Sequence, residues 1–158
     1  MRFLKSPRKI SSVNLKNLSF DQAQVLAAVF SVITLEANTE AYIKKIDLFL
    51  SSLKKRDLLE LKLALFLVEH TPIFFHGFIN RFTELSLEDK KTCMKDWQNG
   101  AAWRWPVFVA LKELCYFAYY SEEKNWEKIG YSGPLVSQSN FVSSALDSRY
   151  ERFLGGSL

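Results

Sequence analysis

Residues 103–120 read Trp-Arg-Trp-Pro-Val-Phe-Val-Ala-Leu-Lys-Glu-Leu-Cys-Tyr-Phe-Ala-Tyr-Tyr, apolar or aromatic at almost every position. A helix that buries one stripe keeps a polar face, but here only Arg104, Lys112 and Glu113 carry charge, so the pattern predicts a helix covered on most sides. A membrane span requires about 20 uninterrupted apolar residues. Arg104, Pro106 and the Lys112-Glu113 pair interrupt this run. The stretch is therefore expected to be the central helix of an all-α domain, regular from about Trp105 with Pro106 in its first turn.

The flanking chain supplies partners for such a helix. Ser19 and Gln22 stand in a capping-box relation after Leu18, and Val25, Leu26, Val29, Phe30 and Ile33 follow at helical spacing. Asn38 or Thr39 can cap a second helix, whose Tyr42, Ile43, Ile46, Phe49, Leu50 and Leu53 recur opposite Glu40, Lys44, Lys45 and Asp47. A third is expected over 57–69, with Leu58, Leu61, Leu65 and Val68 on one side. Leu59, Leu63, Phe66 and Leu67 widen its apolar arc enough to pack two neighbours. His70-Thr71-Pro72 predicts an end there, because the residue before proline avoids the helical region. A fourth helix is then expected over 72–82, burying Phe74, Phe75, Phe78, Ile79 and Phe82. Ser86 with Glu88 and Asp89 opens the next, which carries Leu87, Cys93, Met94 and Trp97 to a stop at Asn99-Gly100. A short helical turn at 125–129 should end at Gly130. The whole reads as a single-domain bundle of five to seven helices over 18–134, between a basic tail at 1–17 and a polar tail or arm at 135–158. The arm holds a candidate helical piece at 141–153.

At 158 residues and 48% hydrophobic, such a chain can bury a core without staples. Cys93 and Cys115 form no CxxC and no zinc spacing, and both fall in apolar helical surroundings that favour inert buried thiols. His70 and His76, the only histidines, flank a proline with no cluster of acids or thiols beside them. Neither a metal nor a general-base role is indicated.

The net charge of +4 belongs to one end. Arg2, Lys5, Arg8, Lys9 and Lys16 precede the first acid, Asp21, which leaves 16 basic against 17 acidic residues in the remainder. Clustered Lys/Arg attracts nucleic acid or an anionic membrane. No base-reading motif or basic stripe follows, so nucleic acid is not expected, and a solvated terminus is the simpler reading. Arg8-Lys9 leads into Ile-Ser-Ser-Val-Asn-Leu-Lys-Asn, not the apolar run that an export signal requires, so a cytoplasmic chain is expected.

Three segments resemble a known family: Leu18-Ser19-Phe20-Asp21-Gln22 with Leu26 and Val29; Phe82-Thr83-Glu84-Leu85-Ser86-Leu87-Glu88-Asp89; and the aromatic helix followed by Trp126-Glu127-Lys128-Ile129-Gly130-Tyr131-Ser132-Gly133-Pro134. Together, over roughly residues 18–134, they are similar to the gluconate 2-dehydrogenase small-subunit (subunit 3) family. The last two also resemble the helical region preceding the flavin domain of long-chain-alcohol oxidases. The Trp-x-x-Ile-Gly-Tyr-x-Gly-Pro run is the most specific part. The resemblance implies a non-catalytic accessory subunit that binds no cofactor and accompanies an FAD-dependent large subunit of the glucose–methanol–choline class. It implies that Trp126, Ile129, Gly130, Tyr131, Gly133 and Pro134 lie against that partner, where Trp103, Trp105, Tyr119 and Tyr120 could join them. The chain lacks the twin-arginine signal of many small subunits.

The residues agree about catalysis. A flavin fingerprint needs closely spaced glycines at a helix start, and none of Gly77, Gly100, Gly130, Gly133, Gly155 and Gly156 can form G-x-G-x-x-G. The pairs Glu88-Asp89 and Glu122-Glu123 read as solvated or capping acids. The alternative class is a stand-alone helical interaction protein, with or without contact to a membrane surface through the aromatics and the basic tail.

Overall fold

Among the described residues, five α-helices and three single turns of 3-10 helix follow one another: α1 Phe20–Thr34, α2 Glu40–Leu50, α3 Lys55–Phe75, a turn at Phe82–Glu84, α4 Leu87–Gln98, α5 Arg104–Tyr120, and turns at Glu123–Asn125 and Glu127–Ile129. The computed structural model describes residues 15–75, 77, 79–100 and 103–133, and no strand occurs among them. The basic residues before Leu15, His76, Phe78, Pro134 and the arm at 135–158 lie outside the described residues. The fold is all-α, as expected. Two compact units divide at Glu122 and Glu123, inside the 18–134 span read as one domain.

In the first unit the hub is α1, and this corrects the expectation that the aromatic helix is central. α1 packs against α2, α3, α4, α5 and the Phe82–Glu84 turn. Its Ala23, Val25, Leu26, Ala27, Ala28, Val29 and Phe30 are all buried. Small alanines let neighbouring backbones approach from several sides, whereas the bulky ends of α5 hold neighbours off. α5 buries Phe108, Leu111, Cys115, Ala118 and Tyr119 and leaves Trp103, Trp105 and Phe117 exposed.

Local signals set the helix starts. The Ser19 hydroxyl accepts from Gln22 N at 3.2 Å while Ser19 N donates to Gln22 Oε1 at 3.0 Å, the reciprocal capping box read from the sequence. Ser86 caps α4 by accepting from Asp89 N at 3.2 Å. Thr39 occupies the N-cap position of α2 without a side-chain cap bond.

Two expectations about side chains are overturned. Asp47, assigned to the solvated face of α2, is buried. It stands four residues after Ile43 and three before Leu50, on the apolar face. Its carboxylate accepts from the backbone N–H of Lys16 (2.7 Å), Asn17 (3.0 Å) and Leu18 (2.9 Å), and the Asn17 amide donates to Asp47 O at 2.7 Å. Residues 15–17, read as tail, are thereby fastened to α2, and Leu15 packs against the core.

The second correction concerns Pro72. α3 does not end near His70 but runs through Pro72 to Phe75, so the expected helix over 72–82 does not exist. Proline costs about 3 kcal/mol inside a helix because it removes an N–H and crowds the preceding turn. The carbonyl left without its helical donor is Val68 O; in the turn before it Thr71 Oγ1 donates to Leu67 O at 2.6 Å and His70 Nδ1 lies 2.8 Å from Phe66 O, which ties this turn without replacing that bond. Burial of Leu65, Val68 and Pro72 against the core offsets the rest. Of the apolar residues assigned to the missing helix, Phe82 is buried, whereas Phe74, Phe75 and Ile79 are exposed.

Candidate functional site

The residues expected to meet a partner fall into three places. At the start of α5, Trp103 and Trp105 are exposed by 46% and 54%. Trp103 packs edge-on against buried Trp97, with ring centroids 5.5 Å apart, and the neighbouring Arg104 guanidinium lies 5.4 Å over the Phe75 ring. Tyr119 and Tyr120 stand at the other end of α5, about 20 Å away at 1.5 Å per residue. Tyr119 is not a surface residue: it is buried against Tyr42 and Phe30, with centroids at 5.8 and 6.3 Å. Tyr120 is half-buried beside Tyr116 and Tyr119. The α5 aromatics therefore do not form one patch, and Tyr119 serves the core.

The second unit contains the third place, and its geometry explains the Trp-x-x-Ile-Gly-Tyr spacing. The Glu127–Ile129 turn ends at Gly130, which has φ +69°. Gly130 N donates to Glu127 O at 3.1 Å and Tyr131 N donates to Trp126 O at 3.0 Å. This pair of bonds is a Schellman closure, which needs a left-handed residue after the last helical one and favours an apolar contact across it. Trp126 and Tyr131 make that contact, with ring centroids 5.1 Å apart at 68°. Gly133, at φ +107°, completes the wrap, since a Cβ there would lie 3.6 Å from Trp126 Cζ3. The spacing is thus a backbone requirement first. Its by-product is a pre-shaped turn from which Ile129 (54%) and Tyr131 (43%) project. Pro134 lies outside the described residues.

Gly130 gives this turn a direct test. No atom lies within 4 Å of a Cβ added there, so Gly130→Val should suffer from backbone conformation alone, about 1–2 kcal/mol. Hydrogen exchange at the Tyr131 amide should accelerate by roughly 5- to 30-fold, with a smaller effect for Gly130→Asn. Equal exchange in both variants would show that the closure is not what holds the turn.

Other chemistry is muted. Burial pushes the Cys93 thiol up to about 11, with help from the charges of Asp96 and Asp89, and the Cys115 thiol up to about 12. Both remain protonated near neutral pH and are poor nucleophiles. Among the described residues no group of three or more His, Cys, Asp or Glu is placed to hold a metal ion. No described helix is long and apolar enough to cross a membrane. A polar cleft of about 390 Å³ opens between α1, α3 and the Phe82–Glu84 turn. Its Glu69 is occupied structurally, accepting from Thr83 N (3.2 Å) and Thr83 Oγ1 (2.7 Å). A groove of about 440 Å³ separates α3 from α2 and α5 and is floored by Leu50, Leu53, Leu61, Leu111 and Leu114.

One surface was not foreseen. Leu59, Leu63, Phe66 and Phe74 on α3 are exposed, although the wide apolar arc of this helix predicts two packed neighbours. The arc was legible, but its partner within the first unit is missing among the described residues. No protein-family model, curated protein or solved structure matches this chain.

Proposed function

We propose that this chain is a non-catalytic accessory subunit that binds and stabilises an FAD-dependent alcohol dehydrogenase or oxidase of the glucose–methanol–choline class. The flavin belongs to the partner, and a cytoplasmic site of action is part of the same reading. One observation carries it: the Trp126–Tyr131 segment, the most specific element of the resemblance, folds as a turn closed by two backbone hydrogen bonds and a ring contact, with Ile129 and Tyr131 exposed. Preorganised apolar side chains lose little entropy on docking, and aromatics with a polar tip suit an interface. The exposed Trp103 and Trp105 are of the same kind. Protonated, buried thiols fit a binding role better than a turnover role.

The test is affinity purification of the tagged full-length chain at native expression level, with an absorption spectrum of the eluate. A larger co-purifying chain with flavin absorption is expected. Ile129→Asp with Tyr131→Ala should reduce its recovery by at least about tenfold, as for an interface hot spot, with unchanged far-ultraviolet circular dichroism. A colourless chain eluting alone would overturn the reading.

A further inference from the structure

The outer face of α3 carries Leu59, Leu63, Phe66, His70 and Ile73 at successive steps of four, three, four and three residues. Phe74 flanks the end of the row. The opposite side of the helix buries Leu65, Val68 and Pro72 against the core, so α3 is apolar on two opposed faces, of which the first unit covers one. The outer face is open: Leu59 is exposed by 68%, Phe66 by 57% and Phe74 by 76%. The His70 ring lies against Phe66, tilted by 33° with centroids 4.2 Å apart, which extends the apolar row across its one polar member.

A row with a 3.5-residue average step is the seam that a second helix packs along with a shallow left-handed crossing. We propose that this seam is occupied by α3 of a second copy of the chain, in a two-fold antiparallel dimer. Area supports that occupant. With roughly 150–250 Å² per large side chain, Leu59, Leu63, Phe66, Ile73 and Phe74 together expose on the order of 500 Å², in the upper part of the roughly 300–600 Å² of a typical monomer's largest apolar patch, which is often functional. Such an apolar centre, with a rim from Arg56, Glu60 and Lys62, approaches the roughly 800 Å² per partner of a standard interface. An isologous pairing requires a patch that complements itself, and Leu59, Leu63, Phe66 and His70, whose steps of four, three and four read the same in both directions, do so about a point between Leu63 and Phe66. The antiparallel sense opposes the two helix dipoles. Leu63 then lies against Phe66 of the second copy, and Leu59 against His70. This inference is independent of the flavoprotein reading and uses different residues.

The full-length chain should elute as a dimer by light scattering, and Leu63→Glu with Phe66→Glu should weaken association by at least about 100-fold, two hot-spot truncations together. Circular dichroism should stay unchanged, because both side chains are already exposed. A wild-type chain that stays monomeric at high micromolar concentration would overturn the proposal, as would a dimer indifferent to the double substitution. A heteromeric complex formed in place of the dimer would do the same. If the charged variant fails to fold, cysteine cross-linking keeps the test alive. Leu63→Cys lies near the two-fold axis and should form an intermolecular disulfide readily, whereas Ile73→Cys, far from its counterpart, should not. Equal cross-linking at both positions would indicate a parallel pairing and overturn this one.

Discussion

Replacing Asp47 by alanine should cost about 3–5 kcal/mol of stability, among the largest losses available from one surface-adjacent residue. The magnitude follows from what the carboxylate holds. Three successive backbone N–H groups, those of Lys16, Asn17 and Leu18, converge on its two oxygens. Hydrogen bonds to a charged acceptor contribute about 1.5–3 kcal/mol each, and the sum is less than additive because the three share one anchor. Without the carboxylate, buried Leu18 N loses its acceptor, and the segment that leads into α1 is no longer tied to α2. Asn17 would keep its amide bonds to Asp47 O and Ser51 Oγ, so the strap should loosen rather than detach. Asp47→Asn keeps one acceptor oxygen and should cost less than the alanine change. Urea unfolding of both variants measures this. A loss below about 1 kcal/mol for Asp47→Ala would mean that water replaces the carboxylate without penalty.

Trp97 should separate packing from polarity. It is fully buried in α4, and Trp97→Ala is expected to cost about 3–5 kcal/mol through lost burial and the cavity left behind. Its indole Nε1 finds no hydrogen-bond acceptor among the described residues. An unsatisfied buried donor carries a desolvation penalty of about 1–3 kcal/mol, which Trp97→Phe would remove while creating a smaller cavity. The phenylalanine variant should therefore unfold within about 1.5 kcal/mol of the wild type. A loss near that of alanine would show that the indole N–H is satisfied in solution by a partner such as water.

Much of the local structure was legible in the chain. The capping box at Ser19 and Gln22, the cap at Ser86, the stop near Asn99, and the buried Leu111 and Cys115 all rest on contacts within a few residues or on helical periodicity. Gly130 was legible as a terminator for the same reason, since only a left-handed residue closes a turn in that way. The errors share a different cause. Pro72 reads as a helix end because its local cost is real, but that cost is offset by burial the sequence does not display. Asp47 reads as solvated because a charged residue usually is, yet its position between Ile43 and Leu50 puts it inward. The candidate site was half legible: the motif at 126–133 was found, whereas the α3 face was read as interior.

Helical character, most helix starts and the apolar faces follow from the residues alone, because backbone capping and the 3.6-residue period act over one turn. Which apolar faces meet was set by long-range packing. It made the alanine-bearing α1 the hub, drew Tyr119 into the core, and left the outer side of α3 uncovered. Those outcomes depend on how closely neighbouring backbones can approach and on which faces run out of partners, and a face is the same string of residues whether its partner is present or absent.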